Sequence, residues 1–286
     1  MSYRIITDSC CDFPLAYYAD LGLTMVPLTV LYKGEVYTDF SDAGTKAVYD
    51  GMRAGELPTT SAVNPKGWAE AMEPALKAGE DVLVMAFSSG LSTTYQSAVI
   101  AAEELREKYP QRRIRVVDTL CASMGQGLLV WYACKKRSEG LDVDALADWC
   151  EENKLHLCHW FTVDDLMHLK RGGRVSAATA LMGTMLNIKP VLHVDDEGHL
   201  INVAKARGRK ASIDMLAKKL EELGSGFDND TVFISHGDCP EDAQYLADLV
   251  KERCGVRNVV ISYVGPVIGA HTGPGVLAFF FLGTHR

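Results

Sequence analysis

The chain lacks most of the features that would assign it a chemistry at sight. It holds 8 cysteines but no C-x-x-C pair: Cys10 and Cys11 are adjacent, and Cys121, Cys134, Cys150, Cys158, Cys239 and Cys254 are scattered. That pattern argues against a zinc ribbon or a thioredoxin-like pair and fits reduced, mostly buried thiols. There is no G-x-x-x-x-G-K and no G-x-S-x-G, so neither a P-loop nor a nucleophile elbow is present. A formal charge of −8 lacks the basic excess of a dedicated nucleic-acid binder. No apolar run reaches the roughly 18–20 residues of a membrane span. The opening MSYRIITDSC carries no apolar signal-peptide core. These absences lead us to expect a cytoplasmic protein with no stable membrane insertion and no nucleic-acid partner.

What is present is globular: 286 residues, 48% apolar and 23% charged, enough for one large or two ordinary domains. YRIITD, DVLVMAFSS and RIRVVDT read as buried strands. The last two are followed by helical patterns, TTYQSAVIAAEELREKYP and SMGQGLLVWYACKKRSEG. Such alternation predicts a mostly parallel sheet with flanking helices. Ligands bind such sheets beyond the carboxyl ends of the strands, where DSCCD, FSSGLS and DTLCAS fall. Past about Asn153 the pattern mixes a hairpin, IKPVLHVDDEGHLINVAKA, with further strands and helices. The spacing thus predicts an α/β protein in two parts: an N-terminal α/β domain over 1–153 and a C-terminal α+β domain over 154–286. A helix is expected over 176–186.

Several polar clusters stand out. Thr59, Thr60 and Ser61 lie in an expected loop ahead of Asn64–Pro65, a good helix cap. Ser88, Ser89 and Ser92 surround Gly90 before a helix whose cap is either Ser92 or a Thr93/Gln96 box. A helix start of this kind is a ready anion site. Lys170, Arg171 and Arg174 flank two glycines, and guanidinium forks suit phosphate oxygens. His271–Thr272 sits among four glycines and two prolines in GPVIGAHTGPG, an expected loop ahead of the apolar VLAFFFL. His156, Cys158 and His159 lie on one strand, but no second ligand pair follows, so no metal is expected. His236 reads either as a site residue or as a strand-end cap. A serine hydrolase using Ser88, Ser89 or Ser92 with His271 is an alternative.

Together, IITDSCCDFP, TTSAVNP, FSSGLSTTYQSA, LKRGGRVS, NIKPVLHVDDEGHL, AKARGRK, ISHGDCPEDA and VIGAHTGPG resemble the DegV family across essentially the whole chain. The chain departs at Thr93, where the family more often has Gly; a left-handed backbone there would strain a threonine. The resemblance implies a bacterial two-domain protein that binds a long-chain fatty acid between its domains, without a cofactor or nucleotide site of its own. It further implies a separate ATP-binding fatty acid kinase subunit as partner, which phosphorylates the carboxylate to an acyl phosphate for phospholipid synthesis. Carried onto this chain, the carboxylate ligands are Thr60, Ser61, Ser92, His271 and Thr272, and Arg171 or Arg174 faces the phosphate. Gly269, Gly273 and Gly275 are then expected to bring the backbone close to the head group. TMVPLTVLY, VLAFFFL and TALMGTMLNI are expected to line the tail. A lipid-containing regulatory scaffold is a further alternative.

Overall fold

A computed structural model describes residues 2–176 and 187–286. All of the helix expected over 176–186 except Ser176, and most of the TALMGTMLNI lining, lie outside the described residues.

Four parallel strands form the first sheet, in the order β2-β1-β6-β7: β1 (Tyr3–Asp8), β2 (Leu23–Val26), β6 (Asp81–Ala86) and β7 (Ile114–Asp118). Strand β6 is buried along its whole length, as a central parallel strand covered on both faces must be. Side chains alternate between the faces. Ile6, Val82 and Val84 pack with helices α3 (Pro65–Lys77) and α4 (Thr94–Lys108). Ile5, Leu83 and Met85 pack with α5 (Met124–Ser138) and α6 (Val143–Asn153).

The second large sheet has the order β10-β9-β8-β13-β11-β12: β8 (Leu157–Thr162), β9 (Ile188–Val194), β10 (Leu200–Arg207), β11 (Thr231–His236), β12 (Asn258–Tyr263) and β13 (Leu277–Leu282). Only β11 and β12 run parallel. Its outer face is covered by α8 (Arg209–Leu223) and α9 (Pro240–Cys254). Its inner face meets α5, whose Leu128 and Leu129 share a core with Leu83 of the first sheet and Phe161 and Phe280 of the second. Helix α5 is apolar around most of its girth because it lies between two sheets.

A third, small sheet has the order β4-β3-β5: β3 (Thr29–Tyr32), β4 (Glu35–Tyr37) and β5 (Thr59–Ser61). Thr59–Ser61 is therefore a strand, not the expected loop, because β3 supplies a backbone partner for it. The cap that follows is as the sequence predicts: the Asn64 side chain accepts from the Gly67 amide and Pro65 opens the helix. GPVIGAHT is a second departure. Pro266–Thr272 forms a short helix, α10, that packs against α7 (Leu166–Arg171) and α2 (Asp42–Arg53), so His271 and Thr272 lie on a helical turn rather than in a loop.

Candidate functional site

A cavity of about 400 Å³ lies where the carboxyl ends of the first sheet face the inner side of the second. Its apolar wall includes Leu28, Phe87, Leu91, Phe161, Ala278 and Phe280. Leu28, Ala278 and Phe280 come from segments the sequence marks as tail lining. Phe161 and Phe87 do not, since both read as ordinary core.

Polar groups gather at one end. Strand β5 brings Thr60 and Ser61, the turn before α4 brings Ser92 and Thr93, α10 brings His271 and Thr272, and the turn after α7 brings Arg174. Ser61 and Thr93 are exposed, and Thr60, Ser92 and His271 are half-buried, so this end is the mouth. Thr60 Oγ1 and His271 Nε2 lie 2.7 Å apart. Thr272 also lines the cavity, but its hydroxyl donates back to Ile268 O at 3.2 Å within its own helix. The Ser92 hydroxyl accepts from the Thr94 amide and shares a 2.8 Å contact with the Thr94 hydroxyl. Ser92 is thus the working cap of α4, and Thr93 makes no side-chain cap bond. Thr93 has φ −79, so the strain a left-handed backbone would impose there does not arise.

Arg174 donates through Nε and Nη2 to Leu91 O at 3.1 and 2.9 Å, and through Nη1 to Gly172 O. Among the described residues no carboxylate pairs with it. Its charge therefore sets a positive potential at the mouth, to which the N-terminus of the 15-residue α4 adds. Arg171 is exposed and is not part of the cavity wall. Burial, and then the nearby Arg174 cation, push the His271 pKa down to about 4, so the imidazole is neutral near pH 7.

The glycines of the His-Thr segment do not face the cavity. A Cβ on Gly269 would meet the Tyr49 hydroxyl, one on Gly273 the His168 ring, and one on Gly275 the Asp164 carboxylate. The glycine that matters at the mouth is Gly172, where a Cβ would lie 2.2 Å from His271 Nδ1. The absence of a side chain at 172 is what lets the imidazole occupy its place.

Geometry does not favour a hydrolase. The Ser88 hydroxyl is buried and donates to Gly198 O at 2.9 Å. His271 Nε2 faces Thr60 instead of a serine, and its Nδ1 lies against Gly172, where an orienting carboxylate would be needed. His236 is a strand-end cap, accepting from the Cys239 amide at 3.3 Å. His156 Nδ1 and Cys158 Sγ are spent on the carbonyls of Gly283 and His285. Among the described residues no group of His, Cys, Asp or Glu side chains is arranged to hold a metal.

Sequence reasoning missed a buried polar link between the halves. Ser123 Oγ donates to Asp12 Oδ2 at 2.6 Å and lies 2.8 Å from Ser235 Oγ. Ser123 also lines the cavity, with φ 52 and ψ −146, a region that L-residues rarely adopt. Burial raises the Asp12 pKa to about 8 despite the Ser123 bond.

The cavity between the two facing sheets is thus largely apolar, with a cationic, hydroxyl-lined mouth. A family model described as "Uncharacterised protein, DegV family" matches residues 2–284. The chain belongs to the DegV family. It is 48% identical over 283 residues to a DegV domain-containing protein of Clostridium perfringens, covering 98% of this chain and 97% of that one. Among solved structures it resembles a DegV family protein from Thermus thermophilus described for its fatty acid binding, with TM-score 0.87, 31% identity and coverage of 99% and 100% of the two chains. It also resembles DegV, a fatty acid binding protein from Bacillus subtilis, with TM-score 0.84, 28% identity and coverage of 99% and 100%. Among the described residues no helix is long and apolar enough to cross a membrane.

Proposed function

We propose that this protein binds a long-chain fatty acid, its carboxylate at the mouth among Thr60, Ser61, Ser92, His271 and Thr272 and its tail in the cavity. It then presents that carboxylate to a separate ATP-binding kinase subunit in the cytoplasm, for conversion to an acyl phosphate. Residues 1–153 and 154–286 act as the two lobes that hold the chain. The observation that carries this reading is the Thr60–His271 contact at the open end of a largely apolar cavity. The fatty-acid-binding relatives from Thermus thermophilus and Bacillus subtilis support it.

Energetics favour full enclosure. Each buried methylene contributes about 0.8 kcal/mol, so ~15 of them supply ~12 kcal/mol, offset by chain ordering and by competition from membranes. The carboxylate needs hydrogen-bond donors once it leaves water. Neutral hydroxyls and a neutral imidazole supply them while leaving electron density on the oxygen that attacks the γ-phosphorus, with ADP as leaving group. Arg174, close to the mouth and with no carboxylate partner among the described residues, offsets the negative charge that accumulates there. Nucleotide and metal come with the kinase subunit.

The test has two stages. Native mass spectrometry of protein purified from cells should show an adduct of fatty-acid mass, and stripped protein should take up palmitate or oleate. Adding the kinase subunit and ATP should then give an acyl phosphate that hydroxylamine traps as a hydroxamate. Stripped protein that takes up neither acid overturns the binding reading; loaded protein that yields no hydroxamate overturns the presentation step.

A further inference from the structure

The cavity wall also takes in part of β13 and of β8. His271 and Thr272 precede β13, and the cavity wall then takes in Val276, just before that strand, and Ala278 and Phe280 on it. Four residues of strand span roughly 13 Å. Across the ladder, Ala278 pairs with Phe161 and Phe280 with His159. A chain entering at the mouth therefore passes Ala278 and Phe161 before it meets Phe280 and His159.

That last pair is a rigid wall. His159 and Phe280 are 1% and 2% exposed, and their rings meet edge to face with centroids 5.4 Å apart. Both imidazole nitrogens are committed: Nδ1 donates to Leu157 O at 2.8 Å, and Nε2 accepts from the Ala122 amide at 3.3 Å. The wall offers carbon faces and no free N–H, which suits a methyl terminus and not a polar one. The ring cannot retreat either, because Gly125 lies directly behind it; a Cβ there would fall 2.1 Å from Nε2. Arg286 fixes the loop that carries Ala122, donating to Leu120 O at 2.7 Å and to Lys154 O at 2.8 Å.

We infer that the His159–Phe280 pair, seated on Gly125, is the stop that meets the methyl end of the acyl chain and sets the longest chain the protein accepts. This rests on the fatty-acid reading above. Enlarging the stop site admits further methylenes, each raising affinity about fourfold; pushing the ring forward excludes them.

The test is competitive binding of straight saturated fatty acids, from 12 to 20 carbons as a roughly complete series, to stripped wild-type protein and to His159→Ala, Phe280→Leu and Gly125→Ala. The expected optimum moves to longer chains in the first two variants and to shorter ones in the third. Phe280→Leu leaves both imidazole hydrogen bonds in place, so it decides the matter if His159→Ala does not fold. A folded Phe280→Leu protein with the wild-type length profile overturns the stop. Wild-type protein that binds no member of the series overturns the binding reading itself, and the stop with it.

Discussion

The hydroxyl of Thr60 and the imidazole of His271 meet at 2.7 Å although 211 positions separate them in the chain. One arrives on a three-residue strand and the other on a seven-residue helix, and Gly172 leaves the room for the ring between them. Removing a hydrogen bond to a charged group costs about 1.5–3 kcal/mol, or roughly 10- to 150-fold in affinity. Thr60→Val and His271→Ala should each weaken palmitate binding by that order in a fluorescence displacement titration. Gly172→Ala should do the same without altering either side chain, because its methyl displaces the imidazole.

The pH dependence of stability carries a second expectation. The folded pKa of His271, about 4, lies below its ordinary 6.5. The unfolded chain therefore takes up the proton first. The stability this group contributes is complete above pH 6.5 and is lost as pH falls to about 4, on the order of 3 kcal/mol over that window. Urea unfolding of stripped protein at several pH values should show this decline, and His271→Gln should remove it. A bound carboxylate favours the imidazolium, so palmitate should raise the His271 pKa in an NMR titration.

Asp12 behaves in the opposite sense. Its folded pKa is raised from 3.8 to about 8 by burial, so it holds its proton in the fold when the unfolded chain has released it. Its contribution is complete below pH 3.8 and is lost as pH rises toward about 8. Asn cannot ionise and tolerates the left-handed φ of 52 at this position. Asp12→Asn should therefore stabilise the protein at pH 8, on the order of 5 kcal/mol, and very little at pH 4. Thermal denaturation at the two pH values checks this.

The two arginines are expected to separate. Arg174 lies on the cavity wall and holds Leu91 O, whereas Arg171 is exposed outside it. Arg174→Ala should weaken fatty acid binding several-fold and slow acyl phosphate formation with the kinase subunit. Arg171→Ala should leave binding within about twofold, since exposed charges contribute little. Parallel binding and hydroxamate assays distinguish them.

The central parallel sheet was legible because VLVMA, after Asp81, is an unbroken apolar run and the helix after it carries a clear period. Strand β5 was not: Thr59–Ser61 is polar and three residues long, and only its pairing with β3 makes it a strand. Helix α10 was hidden by Gly269, a poor helix former whose missing side chain makes room for Tyr49. At the site, the hydroxyls and His271 could be picked out as residue types beside glycine and a helix start. Gly172, Ser123 and His159 could not. Their roles depend on neighbours more than 30 positions away, a distance over which no local pattern extends.

A crystal structure of the protein loaded with palmitate tests the central claim most directly. The account predicts the carboxylate within hydrogen-bond reach of Thr60 Oγ1 and His271 Nε2, with the alkyl chain running past Ala278 to end against Phe280. A carboxylate lodged beside His159, or a chain bound outside this cavity, would contradict it.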